Sequence, residues 1–463
     1  MSNRGWLRIE IENFGPIASG SFELRPLTLF IGPNNTGKSY AATLVHSIVQ
    51  AMPAGGVPGV LFFRFRREEK APPTIRELVN WLFSTEYLEK EVLGRLQNYF
   101  SCEDLGVLIS WFASKDGVRV RVYSRDAEDG WIFLEGKGSR WSVQGKAPRL
   151  PDLERRQETE EVPLDALWRV WRDIRRVWRD ITETMGLPED SYYLPAARSG
   201  VLQGWRALTA EAVRRVSRWA GIEEIRVPAL PGLIGEFLEG LIHASEGLRL
   251  RSRAGKRRPF FRSILEVLEK DLLKGTVDFS YPNEVPVPEI VYRTQVKQKK
   301  LEIPIQRASS TVGELAPLVL WIKYLLEPRE MLVIEEPEAH LHPENQRRVA
   351  RALVRLVRAG VTVLCTTHSP LILHQVSNHI LASRADPARR KELGFTEEDL
   401  LREEEVGAYL FRMREDGRGS EIQPLHIEPG FGIPEDEFVR VSEAIGEETY
   451  RLTGPLRMEL GEE

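Results

Sequence analysis

Between positions 32 and 39 the chain reads Gly32-Pro33-Asn34-Asn35-Thr36-Gly37-Lys38-Ser39, two glycines five apart followed by a lysine and a hydroxyl. That spacing is the Walker A pattern. The backbone N–H groups of 34 to 39 can wrap a β-phosphate at the start of a helix. Lys38 then reaches the β- and γ-phosphates, and the Ser39 hydroxyl ligates Mg²⁺. With Tyr40 as the next residue, 32–40 is the expected ATP-binding segment. A second constellation lies far downstream, where the apolar run Leu332-Val333-Ile334 ends in Glu335-Glu336. Ligand chemistry in open α/β sheets sits at the carboxyl ends of strands, so both acids belong beside the phosphates. Glu335 is the candidate for holding Mg²⁺ through water, and Glu336 the candidate general base toward an attacking water. Thirty residues on, a β-branched run ends in Thr366-Thr367-His368-Ser369-Pro370, and His368 is placed to contact a γ-phosphate and sense its loss.

Two weaker features stand beside these. The segment Ser309-Ser310-Thr311-Val312-Gly313-Glu314 precedes a helical pattern. Thr311 and Glu314 fit a capping box. The other reading has that helix end and Ser310 facing the γ-phosphate of an ATP held by another subunit. A basic run, Arg249, Arg251, Arg253, Lys256, Arg257, Arg258 and Arg262, contains no acidic residue and adjoins Phe260 and Phe261. A solvated loop is its plainer reading; contact of 249–262 with a DNA or RNA backbone is the other.

The elements that must carry these residues follow from periodicity. Residues 7–13 alternate apolar and polar, as a half-buried strand does. Residues 21–24 are the expected hairpin partner, across turns at Gly15-Pro16 and Ser19-Gly20. Leu27 to Ile31 is almost wholly apolar, a strand buried on both faces; it feeds the glycine loop, and a helix over 40–50 follows. From 51 to about 275 the periodicity is mainly helical. Its clearest helix runs between Pro163 and Gly186 with a heptad seam from Leu164 to Met185. Strands are expected at 276–281, 289–294 and 301–306, a helix at 312–326, and then strand 331–335, helix 343–359 and strand 361–367. The last three form a βαβ unit, with Pro343 in the first turn of its helix and Gly360 just past its end, so the core sheet is at least partly parallel. Two further strands (406–412, 421–427) precede a helix near 435–449.

Bulk properties narrow the class. The balance of 64 basic against 68 acidic side chains, net −4, gives no overall attraction to nucleic acid, so any such contact must be local. Two cysteines far apart, Cys102 and Cys365, speak against a disulfide framework. The most apolar stretch, 315–326, is interrupted by Pro317 and Lys323 and is too short to span a bilayer. The expectation is a cytoplasmic protein with no membrane contact.

Taken in order, the glycine loop, the serine-led segment, the strand with adjoining glutamate and the later histidine resemble the ABC-type ATPase family. Asn13-Phe14-Gly15-Pro16, Tyr193-Leu194-Pro195-Ala196-Ala197-Arg198 and Glu335-Glu336-Pro337-Glu338-Ala339-His340-Leu341-His342-Pro343 look like its SMC/RecF/OLD branch. Within that branch the chain is similar to stand-alone AAA-family ATPases of bacterial anti-phage systems, the OLD and Septu type, without a Toprim domain. The resemblance implies an α/β fold: an ABC ATPase head with a mixed β-sheet core, an N-terminal antiparallel β subdomain and a largely helical insertion. The implied division is 1–50 as the core lobe with Walker A and 51–275 as the insertion. Residues 276–400 would be the core lobe with signature, Walker B and switch histidine, and 401–463 a C-terminal β/α extension. It further implies a head-to-tail homodimer or higher homo-oligomer with ATP and Mg²⁺ between Walker A of one subunit and the signature (Ser309, Ser310, Thr311, Gly313, Glu314) of the other. Glu338, His340 and His342 would then lie on the D-loop at that interface. Two departures stand out: Thr311 replaces the first glycine of the usual signature, and Gln50, Gln97 and Gln144 are poor matches to a Q-loop glutamine. Nothing from 371 to 463 has the spacing of a Toprim nuclease; Glu428-Pro429-Gly430 reads better as a turn. The resulting expectation is an ATP-hydrolysing switch in phage defence or DNA maintenance that controls a separate effector protein. The alternatives are the nucleotide-binding subunit of a transporter, and a regulatory scaffold that binds ATP with negligible turnover.

Overall fold

The computed structural model describes residues 7–51, 83–108, 117–123, 131–146, 179, 182–183, 186–205, 232–254, 259–281 and 288–460. Strands β1 (Leu7–Phe14) and β2 (Ile17–Leu24) pair antiparallel from Leu7 opposite Leu24 to Phe14 opposite Ile17. The turn uses Gly15 at φ 53, but Ser19-Gly20 is not a turn as the sequence suggested. It lies inside β2, where a Cβ on Gly20 would stand 2.4 Å from the Cβ of Ile422, so the missing side chain admits a neighbouring strand. Then come β3 (Leu27–Ile31) and helix α1 (Lys38–Gln50).

Within the segment read as mainly helical, three strands form: β4 (Val118–Tyr123), β5 (Trp131–Lys137) and β6 (Arg140–Lys146). They extend the antiparallel half, β4 pairing with β1. Val118, Val120 and Val122 alternate with exposed or half-exposed residues, a period-two signal six residues long. The heptad seam from Leu164 to Met185 lies mainly outside the described residues. Of the basic run, Lys256, Arg257 and Arg258 also lie outside the described residues; Arg249, Arg251 and Arg253 are on the helix Gly232–Ala254, and Arg262 is exposed.

Next are β7 (Ser191–Leu194), helix α2 (Gly232–Ala254), and a separate antiparallel sheet of β8 (Gly275–Ser280), β9 (Glu289–Val296) and β10 (Lys299–Pro304). The remainder runs α3 (Ser310–Tyr324), β11 (Met331–Glu335), α4 (Pro343–Arg358), β12 (Thr362–Thr367), α5 (Pro370–Arg384), β13 (Val406–Met413), β14 (Ser420–Leu425) and α6 (Asp436–Leu460). As expected, α4 has Pro343 at its start and closes on Gly360 at φ 92. None of the described helices is long and apolar enough to cross a membrane.

The large sheet has the order β6-β5-β4-β1-β2-β14-β13-β3-β12-β11-β7. From β13 to β7 every neighbour is parallel, and from β6 to β2 every neighbour is antiparallel. The strands β3 and β11 are apolar almost throughout, and β12 is buried over 363–367, because both faces are covered. Leu29, Ile31, Leu332, Ile334, Val363 and Cys365 pack into one core with α3, α4 and α5. Their alternates Phe30, Val333 and Leu364 pack into a second core with α1 and the antiparallel half. Leu364→Ala should therefore cost about 2–5 kcal/mol, read as a lower urea midpoint at unchanged slope. A change below about 0.5 kcal/mol would mean that this face is not packed.

Candidate functional site

The glycine loop bends between β3 and α1 through three left-handed residues: Gly32 at φ 135, Asn35 at φ 62 and Gly37 at φ 94. Both glycines are also sterically required. A Cβ on Gly32 would come within 2.2 Å of the Phe411 carbonyl oxygen, and one on Gly37 within 2.5 Å of Ile17 Cγ1. Pro33, Asn34, Asn35 and Ser39 are exposed, Tyr40 is half-buried, and Thr36 and Lys38 are buried. Thr36 Oγ1 donates to the Pro33 carbonyl at 2.8 Å, and its own carbonyl accepts from Ser420 Oγ at 2.6 Å. The Lys38 ammonium folds back onto the loop, donating to the carbonyls of Gly32 (2.8 Å) and Pro33 (2.6 Å). Burial lowers its pKa to about 8, opposed by the charges of Glu336, Glu338 and Glu335.

Glu335 ends β11 at 8% exposure, and its Oε2 accepts from the Ala196 N–H at 3.0 Å. The buried Tyr193 phenol is pushed well above its ordinary pKa by burial and then by the charge of Glu335, with which it also shares a hydrogen bond. Glu336 follows in the left-handed region at φ 41, its N–H donating to the Thr366 carbonyl at 2.9 Å. His368 Nε2 lies 3.5 Å from Glu336 Oε1. The contact with His368 is the largest influence on the Glu336 carboxyl. With the charges of His368, Lys38 and Arg198 it holds that carboxyl below the usual range against the cost of burial.

Around the remaining expected residues the structure differs in instructive ways. Helix α3 starts at Ser310 and is capped by Ser309, whose hydroxyl accepts from Val312 N at 3.4 Å. Thr311 and Glu314 therefore form no capping box. Glu314 is drawn inward to 1% exposure by Arg198 and Ser199, its Oε2 lying 3.2 Å from Arg198 Nη2 and its Oε1 accepting from Ser199 Oγ at 2.5 Å. Ser309 and Ser310 are exposed, and a Cβ on Gly313 would meet only Ser199 Cβ at 3.8 Å, so the helix end is open to a close approach. Glu338 turns toward the end of β12. Its Oε1 accepts from Thr367 Oγ1 and from His368 N, both at 2.7 Å, fixing the backbone of the histidine. His340 is exposed at φ 56, its Nε2 3.9 Å from Glu314 Oε1. His342 caps α4, its Nδ1 accepting from Glu344 N at 3.3 Å. Gln50, weighed for the Q-loop, donates to the Ser191 carbonyl, and Gln97 to Glu103.

Four contributors were given no role from the sequence, although Ala196 and Arg198 lie in the stretch 193–198 that carries the family resemblance. Ala196 offers a backbone N–H, Ser420 props the loop from behind, and Phe411 abuts Gly32. The fourth is Arg198, wholly buried, which donates to the carbonyls of Glu335 (2.5 Å) and Glu336 (2.9 Å). The expected metal donors, the Ser39 hydroxyl and the Glu335 carboxylate, are oxygens, the donor type that Mg²⁺ takes alongside phosphates and water. The Glu335 carboxylate meets only the Ala196 N–H and the Tyr193 hydroxyl, which leaves lone pairs over, and the hydroxyl of Ser39 is exposed, so the donor set fits.

A family profile described as "AAA domain, putative AbiEii toxin, Type IV TA system" matches residues 216–374, which take in the signature, both carboxylates and His368 but not the glycine loop. No curated protein matches the chain. Among solved structures the chain is similar to the Smc head bound to the C-winged helix domain of ScpA, at 13% identity and TM-score 0.43, covering 91% of this chain and 97% of that one. An Smc head with an extended coiled coil, bound to the C-terminal domain of ScpA and derived from Pyrococcus furiosus, matches at 12% identity and TM-score 0.41, covering 95% and 99%. The SMC head domain from Thermotoga maritima matches at 13% identity and TM-score 0.36, covering 91% and 98%. Each is a distant likeness in overall shape.

The lowered pKa of Lys38 sets a testable sign. Between pH about 8 and 10.5 the unfolded chain holds a proton that the folded, empty protein has released, so this group's contribution to stability rises with pH across that window. Phosphate placed against Lys38 restores the charged form. Calorimetry of ATP binding near pH ~8.5, in two buffers of different ionisation heat, should therefore show proton uptake. The uptake should vanish in Lys38→Met; binding without uptake in the wild type would remove Lys38 from the phosphates.

Proposed function

We propose that this protein is an ABC-type P-loop ATPase that binds MgATP in a head-to-tail dimer and uses its hydrolysis as a switch read by a separate effector. The observation that carries the reading is the gathering of Lys38, Glu335, Glu336 and His368 at the carboxyl edge of β3, β11 and β12, with Glu336 and His368 3.5 Å apart. Lys38, released from the loop carbonyls, neutralises the phosphates. Ser39 and Glu335 are the residues that would hold Mg²⁺, which supplies charge stabilisation to the β- and γ-phosphate oxygens when bound. Glu336 is already ionised below the usual carboxylate range; the negative γ-phosphate beside it raises its basicity as the nucleotide docks. It accepts the proton of the attacking water, and His368 orients it. Presence of both groups favours turnover over a scaffold that only binds nucleotide.

The exposed Ser309, Ser310 and His340, beside the unobstructed Gly313, fit a surface that meets the nucleotide of a second copy. A role in defence draws on the matched profile, whose description names a toxin of a toxin–antitoxin system. Contact of 249–262 with DNA or RNA is the weaker part of the same proposal.

Glu336→Gln should keep ATP affinity while turnover falls by about 10²–10⁴, because an amide of the same shape cannot take the proton. Unchanged turnover would move the base elsewhere. Two inactive variants, Lys38→Ala and Ser310→Arg, should regain partial activity on mixing, since one hybrid site then has both faces intact. Failure at every ratio, with each variant shown to be folded, would refute the shared site.

A further inference from the structure

We propose that Arg198 is a positioning residue: through its buried pairing with Glu314 it makes the conformation of the Glu336 base conditional on the place of helix α3. The proposal rests on the reading of Glu336 as the base. It begins with a mismatch in strand length. β7 pairs with β11 only as far as Leu194 opposite Ile334, whereas β12 continues alongside to Thr366 opposite Glu335. At the end of β11 the side toward β7 therefore has no further strand to donate to it. Buried carbonyls need donors, and the Arg198 guanidinium supplies them, Nη1 to Glu335 O at 2.5 Å and Nη2 to Glu336 O at 2.9 Å.

That bond reaches a backbone whose geometry is costly. Glu336 sits at φ 41, a region unfavourable for a residue with a side chain and held only where the surroundings over-determine it. Its N–H is tied to the Thr366 carbonyl on one side, and on the other its carbonyl accepts from Arg198 and from the Ala339 N–H at 3.1 Å. Without Arg198 only that local turn bond holds the carbonyl, so the peptide can relax and the carboxylate swings with it, away from His368.

Arg198 is in turn held by α3. Its Nε donates to the Glu314 carbonyl at 3.1 Å and its Nη2 lies 3.2 Å from Glu314 Oε2, with both side chains at most 1% exposed. Buried ion pairs seldom stabilise a fold more than an apolar pair of the same size, so a conformational role accounts for this one better than stability does. Glu314 stands one turn inside α3, whose exposed first residues Ser309 and Ser310 are those proposed to meet a second subunit's nucleotide. A displacement of that first turn moves Glu314, then Arg198, then the Glu336 carbonyl. Occupancy of α3 and readiness of the base become one equilibrium.

The test is a double-mutant cycle on the full chain. Arg198→Met with Glu314→Leu replaces the pair by apolar residues; ATP affinity should stay within about threefold, while single-turnover cleavage falls about 100-fold, as expected of a misplaced catalytic group. Adding Glu336→Gln should then cost little more, because the base is already out of place; a merely structural pair would give additive losses. Additivity, or cleavage within about threefold of wild type in the paired variant, overturns the proposal. Should the paired variant not fold, Arg198→Lys, which keeps the charge and loses the fork, carries the same cycle with the same criterion. If Glu336→Gln alone leaves wild-type turnover intact, the base reading falls and this proposal with it. If Glu336→Gln alone is inactive and the cycle is additive, only the role of Arg198 falls.

Discussion

Parallel pairing in one register decides the height at which every chemical group stands. Ile31 is level with Thr367 and with Leu410, and Glu335 is level with Thr366. The residues that follow, Gly32, His368 and Glu336, therefore leave the sheet together, at one edge and within one residue of the same level. A slip of two residues along any of these ladders would move its group by about 6.6 Å, since a strand rises ~3.3 Å per residue. That displacement is larger than the 3.5 Å between His368 and Glu336. What opposes such a slip is the fitted packing of the two cores on either side of the sheet, so the packing of Phe30, Val333 and Leu364 is part of the geometry of the candidate site.

The edge of a sheet is also where buried polar groups lose their ladder partners. Here the losses are met by side chains that have no chemistry of their own to perform: Glu338 receives the Thr367 hydroxyl and the His368 N–H, and Ser420 donates to the Thr36 carbonyl. Each bond is ordinary, worth about 0.5–1.5 kcal/mol net. Leaving such groups unmade in a site this enclosed costs more than making them returns, which is why the arrangement is specific.

Much of this was legible in the sequence, for reasons that vary by residue. The glycine loop needs Gly32, Gly37, Lys38 and Ser39 at fixed neighbouring positions, so its chemistry is written in contiguous letters. The carboxylates and His368 were found because doubly covered strands are short apolar runs, and the interruption by charge is conspicuous. Arg198 escaped notice as a participant because most of its partners are backbone carbonyls, which any residue supplies, and three of them lie more than a hundred positions away. The strands β4 to β6 were hidden in a segment whose overall periodicity is helical. Glu314 was mistaken for a cap because Thr-x-x-Glu spacing is local, while the pull of a buried guanidinium is not. Gly20 looked like a turn because a glycine needed for close approach between strands has the same letter as one needed for a bend.

One topological fact bears on how the protein comes into being. β2 and β3 are separated along the chain only by Arg25 and Pro26, yet in the sheet β14 and β13 stand between them. On the ribosome the glycine loop emerges long before the strand carrying Phe411 and the hydroxyl of Ser420 that brace it. Until then β3 lacks its neighbour on one side and the nascent chain has a gap two strands wide through its middle. Closing that gap is a long-range step of the kind that slows folding and leaves unpaired edges open to other chains. A half-made copy thus lacks a braced glycine loop until the last of these strands arrives.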